Sequence, residues 1–171
     1  MRSENSNHTI DLWIQAVEQN NFDRICAKPS PTSWSLGQVC MHLITETSYY
    51  LKQIHICLST DDNADKEMTA HAKSMFRNNE FPDELIEGPP SNDNTPQPRS
   101  KEELLKALLK LKDELNKVAA VVSTHSGIGK TKHPGLNYFT AREWLQFADM
   151  HMRHHLRQKK RIEEFLTGQP N

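Results

Sequence analysis

Nine histidines stand in these 171 residues, and three of them crowd into positions 151, 154 and 155. His151 and His155 are separated by four residues, which on a helix stacks two imidazoles one turn apart on the same face. On a wheel of about 100 degrees per residue, Trp144, Ala148, His151, His155, Ile162 and Leu166 fall within about 40 degrees of one line. That line is the apolar stripe, so both rings point into the protein. His154 lies about 80 degrees away from it. Two imidazoles on an apolar stripe each need a partner for their ring nitrogens, because burying an unsatisfied polar group is costly. A shared divalent cation supplies one.

His42 occupies a second stripe with Val39, Leu43, Glu46 and Tyr50. It can therefore reach the same interior from another helix. Three histidine ligands, His42, His151 and His155, leave one position of a tetrahedral ion open, which is the arrangement of catalytic rather than structural sites. Glu46, one turn beyond His42, is the nearest candidate for an orienting group or proton acceptor. Blander readings apply to the same residues. A lone inward histidine usually has a local hydrogen-bond partner. The 151/155 pair is not a metalloprotease HExxH, because Met152 stands at the glutamate position. Cys26, Cys40 and Cys57 read as small apolar residues of the interior, not as ligands.

Helices must position these groups, and helical periodicity runs through most of the chain. The expected fold is all-α, a four-helix bundle with a long crossover between its second and third helices. A first helix is expected over about residues 8–24, with Ile10, Ile14 and Val17 on its apolar side and Pro29 and Pro31 beyond its end. The second starts at the capping box Ser35-x-x-Gln38, with Trp34 and Val39 as its hydrophobic staple, and should run to about residue 58. Ser100 with Glu103 starts the third, which carries Leu104, Leu105, Leu108, Leu111, Leu115, Val118 and Val122. Thr140 with Glu143, flanked by Phe139 and Trp144, starts the fourth. Between the second and third helices, residues 59–99 are too long for a structureless loop in a compact domain, so a short helix is expected within about 64–76. No alternating strand of useful length is apparent.

The length suits one domain spanning residues 1–171. Lysine and arginine number 21 against 22 acidic residues, so no overall field favours nucleic acid or an anionic membrane. Neither is expected as a partner. Three cysteines without a CxxC pair fit reduced thiols, and no signal peptide or apolar membrane span is visible. A cytoplasmic protein acting on a small molecule is the expectation.

Two stretches also resemble a known family. Trp34-Ser35-Leu36-Gly37-Gln38-Val39-Cys40-Met41-His42-Leu43 is one; the other runs from His133-Pro134-Gly135 through Phe139-Thr140-Ala141-Arg142-Glu143-Trp144 to His151-x-x-x-His155-Leu156-x-Gln158. In this order and separation they resemble the DinB-like four-helix bundles, in the branch that includes YfiT-type bacillithiol transferases. The resemblance implies metal ligation by His42, His151 and His155, zinc or nickel as the ion, an open position filled by water, and a homodimer. It further implies activation of a low-molecular-weight thiol such as bacillithiol, mycothiol or glutathione for transfer or isomerisation. A metal-dependent hydrolase using bound water and a non-catalytic metal- or ligand-binding module stand as alternatives. Residues 59–99 match no family motif.

Overall fold

The computed structural model describes residues 2–82 and 94–168. Its helices are α1 (Arg2–Glu18), α2 (Phe22–Cys26), α3 (Leu36–Ser59), α4 (Ala70–Asn78), α5 (Lys101–Thr124), α6 (Ala141–His154) and α7 (Leu156–Thr167); β1 (Lys130–His133) and β2 (Asn137–Thr140) form one hairpin between α5 and α6. The protein is an all-α four-helix bundle. Its long members are α1, α3, α5 and the α6–α7 pair. Helix α5 lies against α1 and α3, while α6 lies against α3 and α1, so the four close around a common interior.

Local sequence explains where the helices begin. Ser35 accepts a hydrogen bond from the Gln38 backbone N–H and its own N–H donates to the Gln38 side chain; Thr140 and Glu143 repeat this at α6. Both are complete capping boxes. Ser100 makes the serine half alone, accepting from Glu103 N–H. In α5, Leu104, Leu108, Leu111, Leu115, Val118 and Val122 are buried and Leu105 is partly so, and the core they join includes Ile10, Trp13, Val17, Val39, Leu43 and Trp144. Among the described residues no helix is long and apolar enough to cross a membrane.

Three features differ from the sequence expectation. The first helix stops at Glu18, and Asn21 restarts the chain as the cap of α2 by accepting from Arg24 N–H. The fourth helix is divided at His155, whose ψ of −7° interrupts the regular winding between α6 and α7. Third, the hairpin pairs Lys130 with Thr140 and His133 with Asn137. A three-residue connection, 134–136, leads into Asn137 at φ 65°, a left-handed conformation that asparagine tolerates. Gly129 lets it approach α3 closely: a Cβ there would lie 1.9 Å from the Thr60 carbonyl oxygen.

The crossover does contain a short helix, α4, capped by Thr69 and ended by Asn79 in the left-handed region. Residues 88–96 are rich in proline, glycine and asparagine, and most of them lie outside the described residues. Where the crossover returns, it is tied to the start of α3. Gln38 Nε2 donates to Thr95 O, Ser35 Oγ donates to Gln97 Oε1, and Gln97 Nε2 donates to Cys26 O. Pro98 packs so closely on Gly37 that a Cβ at Gly37 would meet its ring at 2.7 Å. The N-terminal end of α3 is thus clamped less than two turns before His42.

Candidate metal centre

His42 comes from α3, His151 from α6, and His155 from the junction between α6 and α7. Packing of α3 on α6 brings them together, with their nearest ring nitrogens all within 4.8 Å of one another. His151 Nε2 is 3.2 Å from His42 Nε2 and 3.2 Å from His155 Nε2. The rings meet pairwise at 67° to 86°, so no two are stacked.

This spacing fits a cation. Zinc–nitrogen distances of about 2.0–2.1 Å place neighbouring donors of a tetrahedral ion about 3.3–3.4 Å apart. Hydrogen bonding alone serves the cluster poorly. His155 Nδ1 faces the Gln158 amide oxygen at 2.9 Å, an acceptor, so this contact is a hydrogen bond when the His155 proton is on Nδ1, which leaves the lone pair on Nε2. His151 Nε2 has a single site, which can donate to His155 or serve His42 but not both. Its other nitrogen, Nδ1, is buried with no partner. One cation held between them would satisfy all three Nε2 atoms at once.

Burial also sets the protonation state. Desolvation, reinforced by mutual repulsion with His155, lowers the His42 pKa to about 4; desolvation lowers that of His155 to about 4, opposed by its bond to Gln158. His151 is driven well below the usual range by desolvation first and then by the surrounding histidines. All three are neutral near pH 7, the form that ligates a metal.

Aromatic rings surround the cluster. Trp34, the staple residue before α3, sits 5.1 Å from the His42 ring; Tyr50 and Phe81 lie 5.8 Å and 5.9 Å from His151. Tyr50 is buried and stacks on Trp144, the packing role its position suggests. Glu46 is not part of the three-ligand group; its carboxylate accepts from the Tyr50 hydroxyl at 3.3 Å. His154 turns aside and packs on Phe81 at 5.1 Å. Cys40 and Cys57 are buried and take no part in the cluster; the Cys57 thiol donates to the Phe139 carbonyl, and burial pushes the Cys40 thiol up to about 12.

Sequence reading gave no role to two contributors, Gln158, which it named only within a family-like stretch, and Phe81. Gln158 stands three residues after His155, a spacing at which helical side chains meet, and that signal was available. Phe81 comes from the crossover, and only the tertiary fold brings it to the site. The hairpin supplies His133, which packs on Phe147 at 5.0 Å, accepts from Gly135 N–H at Nδ1 and is held neutral by desolvation.

Comparison with curated proteins and with solved structures finds no match. The family model of the DinB superfamily matches residues 7–158, a span that includes all three clustered histidines and most of the bundle. On that match this chain belongs to the DinB superfamily.

Proposed function

We propose that the chain is a metal-dependent enzyme that transfers a low-molecular-weight thiol to a small electrophilic substrate, with one zinc or nickel ion held by His42, His151 and His155. The observation that carries this reading is the donor set: three neutral imidazole nitrogens converge at metal-ligand spacing, and no carboxylate or thiolate among the described residues completes the set. A purely structural ion would normally be closed by a fourth side chain. A divalent cation at this position lowers the pKa of a thiol or water molecule that reaches it and so supplies a nucleophile at neutral pH.

The remaining roles belong to the protein. Trp34, Tyr50 and Phe81 present ring faces and edges near the cluster and exclude water around it. Glu46, held by Tyr50, is the group we assign to take the thiol proton. In the transfer the sulfur–hydrogen bond gives up its proton to that carboxylate, a sulfur–carbon bond forms, and the leaving group departs with its electron pair. The free thiols Cys26, Cys40 and Cys57 support a reducing, cytoplasmic setting. A homodimer belongs to the same proposal and rests on the family resemblance.

Cobalt-substituted protein tests the reading. Adding L-cysteine or bacillithiol should produce a thiolate-to-metal charge-transfer band, and His42→Ala should abolish the band together with metal binding. A bound ion whose spectrum no thiol changes refutes the transferase. Ester or amide turnover without a thiol would then identify a hydrolase, and absence of turnover a binding module.

A further inference from the structure

We infer that Gln158 is a positioning residue for the metal centre: it fixes the proton of His155 on Nδ1 and thereby turns the Nε2 lone pair of that ring toward His42 and His151. The inference rests on the metal-centre reading for its purpose, but its geometric content stands without a bound ion.

The bond is a product of the break between α6 and α7. His155 follows the last residue of α6 and is the N-cap residue of α7, and its side chain makes no capping hydrogen bond to the backbone of α7. Its backbone N–H is already turned back to the His151 carbonyl at 3.3 Å. Gln158 is therefore the third helical residue of α7, where a glutamine ordinarily reaches back to the backbone N–H of the N-cap. Here that N–H is taken, and the amide oxygen meets the imidazole Nδ1 at 2.9 Å. A capping interaction has been converted into a hold on a side chain.

The three rings are not equally supported. Among the described residues, Gln158 is the only side chain hydrogen-bonded to the outer nitrogen of a clustered histidine, whereas His151 Nδ1 is buried without a partner. His155 is also the least buried of the three, so it has the most freedom to turn away or to carry its proton on the wrong nitrogen. A neutral histidine side chain left to itself favours the proton on Nε2, the nitrogen that must be bare to ligate. An acceptor on Nδ1 reverses that preference and fixes the ring orientation, as outer partners of metal-bound histidines do.

Two measurements on the full chain decide the matter. In metal-free wild type, ring nitrogen-15 shifts should show His155 protonated on Nδ1; in Gln158→Leu the proton should move substantially to Nε2. Zinc affinity, measured by chelator competition at pH 7, should fall about 10- to 100-fold in Gln158→Leu. Gln158→Glu retains an acceptor and should bind zinc at least as tightly as wild type, which separates loss of the hydrogen bond from damage to the fold. A wild-type His155 protonated on Nε2, or an unchanged zinc affinity in Gln158→Leu, overturns the inference. Failure of wild type to bind zinc refutes the metal-centre reading instead, and the nitrogen-15 shifts still decide the role of Gln158.

Discussion

Replacing His151 with alanine should erase zinc-dependent stabilisation, while replacing His154, three residues away and adjacent to His155 in sequence, should leave it intact. His151 Nε2 stands between the other two ligand nitrogens at 3.2 Å from each, so its removal leaves two donors that no longer share a neighbour. With free zinc at about 1,000 times the wild-type Kd, mass action stabilises the folded state by about 4.1 kcal/mol. For a chain of this size about 1 kcal/mol moves the melting temperature by about 2–4 °C, which gives a zinc-dependent rise of about 8–16 °C. If the variant binds about 1,000-fold more weakly, the same zinc concentration stabilises it by only about 0.4 kcal/mol, or about 1 °C. The assay is scanning calorimetry of each protein with and without zinc. Taking the difference for each variant cancels the intrinsic cost of deleting a buried ring. His154 touches Phe81 and contributes no nitrogen to the cluster, so His154→Ala should lower both melting temperatures alike. Equal loss of the zinc-dependent rise in both variants would refute the assignment.

Metal-free protein should lose stability as pH falls from about 6.5 to about 4, because desolvation depresses the folded-state pKa of His42 and His155 to about 4 and the unfolded chain, with ordinary histidines, takes up protons first. The sign is opposite to that of an ion-paired histidine, and a urea-unfolding midpoint that stays flat across this window at constant ionic strength would contradict it. Gly37→Ala should destabilise the chain by about 1–3 kcal/mol through overpacking, since the new Cβ meets the Pro98 ring at 2.7 Å where the crossover is tied to α3. Chemical denaturation measures that loss; a neutral outcome would mean that Pro98 yields without cost.

The clustering of His151 and His155 was legible in the sequence because it depends on the most robust property of a helix, that residues four apart share a face. The winding interruption at His155 leaves this relation to His151 intact, and the wheel selects the rings that cluster with His42 and sets His154 aside. The bundle was legible for a similar reason: Ser35, Ser100 and Thr140 mark helix starts through hydrogen bonds completed within three residues. The hairpin was not. Each strand has four residues and only Phe139 is fully buried, so alternation carries almost no signal. Distant groups hold it instead: Trp144 Nε1 donates to Thr131 Oγ1, Lys130 N–H donates to Asp62 O, and Gly129 admits the Thr60 carbonyl. The crossover's contribution was hidden likewise, since nothing in the neighbourhood of Phe81 announces a ring near His151.

Helix division and ligand support at His155 are the same structural event, which explains why sequence periodicity found one ligand function and missed the other. Residues 151–158 contain neither proline nor glycine, the usual markers of a kink. A straight helix through them would place Gln158 merely one turn beyond His155, with no reason to choose its ring over solvent. The ψ of −7° makes His155 a helix start as well as a helix end, and a residue at a helix start is met by the side chain three positions on. The resulting bond at 2.9 Å directs a lone pair to the cluster from the ring that burial restrains least. Spacing along a regular helix is enough to bring nitrogens together; which nitrogen is bare depends on a local departure from that regularity.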